Sequence, residues 1–151
     1  MDEIDKKILN ELQTNSGRKI SELASLLNLP RTTVHNRIRK LQDDKTIIRQ
    51  KAVLDMKKIG KPICALVHIV ITSKESVHEV AGRLKKDGKV EEVYIMAGQF
   101  DIIAKARLKD NEELSEFIFG KEKGLRSWPS VERTESMIVL DTMKENGVIR
   151  L

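Results

Sequence analysis

The side chains with the greatest potential for chemistry lie in PRTTVHNRIRK, residues 30–40, which carries four of the chain's 28 Lys+Arg residues. Placed on a helix at about 100° per residue, Val34, Ile38 and Leu41 share one stripe roughly 60° wide. Thr32, Asn36, Arg39 and Asp43 fall opposite, with Thr33 and Lys40 on one flank and His35 on the other. Arg31 and Arg37 border the apolar stripe, where their stems can pack while the guanidinium reaches outward. Hydroxyl, amide and imidazole groups near the N-terminal end of such a face are those that hydrogen-bond base edges. Arg and Lys further along suit phosphates. A merely solvated face is the bland alternative, but such faces usually interleave Glu with Lys, and this one has no acid before Asp43.

Other chemistries find little support. His35, His68 and His78 lack metal-ligand spacing, so no metal is expected. Cys64 has no evident basic partner to activate it as a nucleophile, and is read as a small buried residue. His68, among apolar strand neighbours, reads as a core or interface histidine. There is no Gly-rich phosphate loop. Neither an enzyme nor a cofactor is expected.

The elements around residues 30–40 decide between the two readings. DEIDKKILNELQ places Ile4, Ile8, Leu9 and Leu12 at helical spacing, with acids in its first turn, and NSG (15–17) closes it. Ser21 is the candidate N-cap of ELASLLN, whose Leu23, Leu26 and Leu27 make one stripe. NLP connects it to the basic helix, and the β-branched KTIIRQKAVLD suits a two-stranded hairpin, or wing. KKIGKP (57–62) is the boundary, giving a winged helix-turn-helix domain over 1–60 and a second domain over 61–151. In a winged helix-turn-helix the second helix of the pair lies in the major groove. Arg31, Thr32, Thr33, His35, Asn36, Arg37, Arg39 and Lys40 are therefore the candidate DNA-binding residues, with double-stranded DNA as partner.

Charge agrees. Residues 1–60 hold thirteen Lys/Arg against eight Asp/Glu, whereas the remainder holds fifteen of each, so the whole net charge of +5 sits in the first domain. No apolar run approaches the ~20 residues of a membrane span. The charged N-terminus and single cysteine fit a reducing, cytoplasmic setting.

The second domain alternates strand and helix: PICALVHIVITS, then KESVHEVAGRLKKDG as a helix ending near Gly88, VEEVYIMA, DIIAKARLK, NEELSEFIFGKEK, and VERTESMIVLDTM. The order βαββαβ is ferredoxin-like, making the chain α+β. Ile63, Ala65, Val67, Ile69 and Ile71 line one face of the first strand, and Cys64, Leu66, His68 and Val70 the other. Helices cover only one sheet face. Exposing Leu66 and Val70 would forfeit roughly 1.5–3 kcal/mol each. A homodimer with these sheets face to face is the expected solution.

These residues together resemble the Lrp/AsnC (feast/famine) family of transcription regulators, from about residue 2 to 145. The match rests on DEIDKKILNELQ, ISELASLLNLP, TTVHNRIRKLQ, AVLD followed by IG, the AGQFDII loop and VERTESMIVL. The resemblance implies a sequence-specific regulator that dimerises, often into octamers, and responds to a small molecule such as an amino acid. It further implies effector-binding roles for Gly98, Gln99, Phe100, Asp101, Thr134 and Ser136. Gly98 would permit close backbone approach and Asp101 could hold an ammonium group. A plain hairpin turn with solvated hydroxyls is the alternative. Relatives usually carry Gly after the recognition helix, where Lys45 stands here. Either Lys45 takes a left-handed cap conformation or the turn differs. Pro30 replaces the usual capping Ser or Thr and affects where the helix starts. The rival to a specific regulator is an architectural, nucleoid-type protein that coats DNA with little sequence preference.

Overall fold

The computed structural model describes residues 1–151, which divide into two units: Met1–Val53 with Met143–Leu151, and Leu54–Thr142. Both differ from the boundary expected at 57–62. Residues 54–60 group with the second unit and the last nine residues with the first.

In the first unit, Asp2 caps helix α1 (Glu3–Thr14). Its carboxylate accepts from the N–H groups of Ile4 and Asp5, and Asp5 accepts from the Asp2 N–H in return, each at 3.0 Å. Helix α2 (Ile20–Leu27) starts after Lys19, two residues earlier than a Ser21 cap requires. Starting there packs Ile20 against the core, and Glu22 reaches back to the Lys19 N–H at 3.4 Å. Asn28 closes α2 at φ 53°, a left-handed conformation that asparagine tolerates. Pro30 stands just outside α3 (Arg31–Asp43) at φ −60° and ψ 141°, so Arg31 is the first helical residue. Ile8, Leu23 and Val34 are fully buried where the three helices meet, with Leu9, Leu12, Ala24 and Leu41 around them. Lys45 adopts φ 60°, the left-handed alternative expected from its position.

The hairpin expected over 45–55 is not formed. Residues 46–53 contain no paired strand. Ile47 alone is tied back, through its N–H to the Leu41 carbonyl at 2.8 Å and by packing on the core. Ile48 is 85% exposed and Val53 67%. The sequence between these residues is Arg49-Gln50-Lys51-Ala52, which lacks the Gly, Asn or Asp that a tight hairpin turn needs. An isolated two-stranded ribbon with no buried face is marginal in water.

The second unit is a four-stranded antiparallel sheet of β1 (Ile63–Ile71), β2 (Val90–Ile95), β3 (Ile102–Leu108) and β4 (Val131–Ile138), in the order β2-β3-β1-β4. Helices α4 (Val77–Leu84) and α5 (Asn111–Phe119), capped by Ser76 and Asp110, supply the covering layer. The ferredoxin-like βαββαβ order is therefore as expected. Ala65, Val67 and Ile69 of β1 are fully buried and share a core with Val80, Leu84, Phe117 and Ile118 of the helices. Helix α4 stops at Leu84 rather than near Gly88. Leu84 is the last apolar residue facing the sheet, and Asp87 instead caps the next turn by accepting from Lys89 N–H at 2.8 Å. Strand β4 ends at Ile138, opposite Ala65; Val139 N–H still donates to the Cys64 carbonyl at 2.9 Å, and Leu140 beyond it is 96% exposed.

Candidate nucleic-acid interface and effector region

The burial of α3 follows its wheel. Val34 and Leu41 are buried and Ile38 half-buried, so the opposite face is presented to solvent. Arg31, Thr32, His35, Asn36, Arg39 and Lys40 are exposed, and Thr33 is half-buried. Arg39 makes only a long contact with Asp43, at 4.0 Å and with both side chains about three-quarters exposed, so it is free to engage a phosphate.

Arg37 departs from the rest. Its Nη1 donates to a carboxylate oxygen of Asp2 and, at 3.0 Å, to one of Asp5, joining α3 to the first turn of α1. Asp5 is 5% exposed, so this is a largely desolvated carboxylate answered by a guanidinium. The Asp5 N–H, foremost, and the Arg37 guanidinium hold the Asp2 carboxyl down at about 2. Asp2 and then Asp5 raise the pKa of Arg37 in turn. Arg37 is thus ion-paired to α1, unlike the other basic side chains of α3. The signal legible in the sequence is the pair of acids, Asp2 and Asp5, at the start of α1.

A depressed carboxyl pKa gives stability that is present above its unfolded value and lost as pH falls through the folded one. Arg37→Ala is therefore expected to lower the melting temperature near neutral pH. The gap to the wild type should narrow as pH drops from about 4 to about 2. Circular dichroism melts of both proteins across that range check this; a constant gap would mean that the guanidinium acts by packing alone.

In the second unit, Gly98 to Asp101 form the loop between β2 and β3. Gly98 sits at φ 147°, a backbone region that side chains rarely adopt. Asp101 pins the loop to the end of β1: its N–H donates to the Ile69 carbonyl at 3.0 Å, and its Oδ2 accepts from Ile71 N–H at 2.9 Å. One carboxylate oxygen is thus already engaged. Phe100 lies against His68 at 4.7 Å between ring centroids, with the Arg133 guanidinium 5.6 Å from the Phe100 ring. His68 alternates with the buried Val67 and Ile69, so this stack belongs to the sheet face away from the helices. The Nδ1 atom of His68 is buried there without a hydrogen-bond partner.

Thr134 and Ser136 lie elsewhere. They pair with Ile69 and Val67, and so face the helix side. There they line a cleft of about 370 Å³ with Ser115, Phe119 and Arg126. Within one chain, the structure does not bring the six effector candidates together. Gly98, Gln99, Phe100 and Asp101 form one group, and Thr134 and Ser136 another across the sheet.

Known proteins share this arrangement. Residues 1–42 match the AsnC-type helix-turn-helix domain, and residues 64–149 the Lrp/AsnC ligand binding domain. The chain is 36% identical to the HTH-type transcriptional regulator FL11 of Pyrococcus horikoshii, over 96% of this chain and 93% of that protein. An uncharacterised HTH-type transcriptional regulator of Pyrococcus abyssi is 34% identical, with 97% and 96% covered. Among solved structures, a transcriptional regulator of Neisseria meningitidis in complex with L-Met superposes with a TM-score of 0.92 at 23% identity, covering 99% of this chain and 96% of that one. Escherichia coli AsnC gives 0.84 at 22% identity, with 96% and 95% covered. With both domain types matched in order and relatives above 30% identity along nearly the whole length, the chain belongs to the Lrp/AsnC family of transcriptional regulators.

Proposed function

We propose that the protein binds near-palindromic DNA as a homodimer, reading bases with Thr32, Thr33, His35 and Asn36 of α3 and phosphates with Arg31, Arg39 and Lys40. The observation that carries this is the solvent-facing side of α3, which is polar and basic and has no acid before Asp43. Arg37, held by Asp2 and Asp5, fixes which side that is. Two-fold symmetry pairs two such helices on two half-sites.

The dimer forms through the sheet face that carries Leu66, His68 and Val70. The cations on this face are largely answered within the chain, Lys105 and Arg107 meeting Glu91 at 3.3 and 2.9 Å. A second copy could therefore cover the apolar residues without burying bare charge. Assembly into octamers is the extension that the family resemblance implies. The effector is a small molecule with amino-acid character, for which L-methionine is the first candidate because a structural relative was solved with L-Met. Its site combines the loop from Gly98 to Asp101 of one copy with Thr134 and Ser136 of another, since within one chain Phe100 stacks on the face away from the helices while Thr134 and Ser136 lie on the helix side. The second oxygen of Asp101 would hold the ammonium group, and the backbone at Gly98 would allow close approach.

The test separates specific regulation from DNA coating. Asn36→Ala is expected to relax base preference at one position by ~1–3 kcal/mol. Lys40→Ala should weaken all sequences alike and flatten the salt slope by roughly one unit. Fluorescence anisotropy on a selected duplex and on random DNA, each against salt, reads both. Equal affinity of the unaltered protein for the two DNAs at near-physiological salt would make it an architectural protein instead.

A further inference from the structure

The cleft between α5 and β4 holds more than two hydroxyl groups. Thr134, Ser136 and Ile138 alternate along the helix-facing side of β4, and Leu114, Ser115 and Phe119 of α5 stand across from them. Phe119 is 61% exposed and Ile138 47%, so two large apolar side chains at the cleft are left in water. Arg126 reaches the same cleft from the 3₁₀ turn Leu125–Ser127 that follows α5. No acid lines the cleft, and Arg126 makes no ion pair; its guanidinium stands 5.5 Å from the Phe119 ring.

An exposed arginine is ordinarily a solvated one, but the turn beneath this one is fixed. Leu125 is 1% exposed and belongs to the core of the second unit. Gly124 N–H donates to the Gly120 carbonyl at 2.9 Å, and a Cβ at Gly124 would collide with the Gly120 backbone. Ser127 closes the turn by donating its N–H and its Oγ–H to the Gly124 carbonyl, at 2.9 and 2.7 Å. The stem of Arg126 therefore starts from a rigid base, which reduces the ordering cost when the guanidinium engages a ligand.

We propose that Arg126 binds the carboxylate of the effector, and that this cleft selects an α-amino acid with an uncharged, apolar side chain. The proposal rests on the effector reading above, in which Asp101 of another copy holds the ammonium group. A zwitterion needs a cation as well as an anion, and Arg126 is the cation that lines the half of the site carrying Thr134 and Ser136. Its planar fork matches a carboxylate. The hydroxyls of Ser115, Thr134 and Ser136 can donate to the remaining lone pairs. Leu114, Phe119 and Ile138 offer the ligand's side chain an apolar surface. A basic side chain would meet the charge of Arg126 and find no acid to pair with. Arg133 is the rival cation, lying over Phe100 on the other face of the sheet.

The test titrates the full chain by calorimetry with L-methionine, L-leucine and L-phenylalanine, each against its amide, which keeps the ammonium group and loses the carboxylate. The intact protein should bind at least one of these acids roughly tenfold or more tighter than its amide. Arg126→Gln should erase that preference and leave affinity for the amide unchanged, a result that a merely structural role would not give. Arg126→Lys should restore part of it, and Arg133→Gln should leave it intact. L-Lysine should bind the intact protein at least roughly tenfold more weakly than the preferred apolar amino acid. A preference for the acid that survives Arg126→Gln, or is lost in Arg133→Gln instead, overturns the assignment. L-Lysine bound as tightly overturns the apolar selection. An amino acid bound no tighter than its amide would remove Arg126 alone and leave the effector reading standing. If none of the three bound the intact protein, the effector reading would fall first and the role of Arg126 with it.

Discussion

Val34→Asp is expected to abolish DNA binding by unfolding the helical unit while the sheet of the second unit stays intact. Val34 is fully buried, packed with Ile8 and Leu23, which are fully buried too. No cation belongs to that cluster, so a carboxylate there would be desolvated without a partner, at an effective cost of several kcal/mol. A unit of about sixty residues buries too little surface to absorb this, since whole domains are stable by only about 5–15 kcal/mol. The second unit has its own core, built on Val67, Ile69, Leu84, Ile102 and Leu108, which shares no residue with the first. Amide hydrogen exchange should show lost protection in α1 to α3 and retained protection in β1 and β3. Thr32→Asp, on the exposed face, is the control: the unit stays folded and only DNA binding falls. If Val34→Asp left the unit folded and Thr32→Asp unfolded it, the two faces of α3 would have been assigned the wrong way round.

The second large effect is expected from Leu66→Asp. Leu66 is half-buried on the sheet face away from the helices, with Lys105 of β3 and Met137 of β4 as its cross-strand neighbours. A single chain tolerates the aspartate, because water reaches it and Lys105 stands opposite. A stacked pair of sheets does not, because two carboxylates would be buried close to the symmetry axis. Light scattering should report monomers, with circular dichroism unchanged. Affinity for a two-half-site duplex should fall by roughly 10²–10⁴, the range a tethered second site supplies. A dimer that survives the substitution would place the interface on another surface.

Much of this was legible in the sequence because it rests on periodicity. The stripe of Val34, Ile38 and Leu41 fixed the orientation of α3, and the alternation in ICALVHIVI fixed both faces of β1. A left-handed Lys45 was one of two alternatives, raised by the Gly that relatives carry at that place, and it is the one adopted. What failed depended on partners far along the chain. KTIIRQKAVLD has strand-like composition, but composition supplies neither a turn nor a surface to pack on, and residues 46–53 stay unpaired. Ser21 is a better capping residue than Lys19, yet packing of Ile20 moved the helix start. The wheel set Arg37 at the border of the apolar stripe, but no local pattern tells whether its guanidinium meets solvent or Asp5, thirty-two residues away. The effector candidates looked like one set because they were carried over together, whereas strand register separates Phe100 from Thr134. The hydrogen bonds of Gln13 with Ile149 and of Asn10 with Leu151 join residues more than 130 positions apart, beyond any local pattern.

The Arg37 contacts also bear on how readily the protein could be given a new target. A helix that can roll in the groove must be re-seated whenever one of its reading side chains changes, so each substitution disturbs all the others. Here the roll is set from behind, by Asp2 and Asp5 on a neighbouring helix, and none of the outward residues takes part in that fastening. Under the proposed base-reading roles, Thr32, His35 and Asn36 are then separate letters on a fixed mount. Operator preference can drift, or be redesigned, one position at a time.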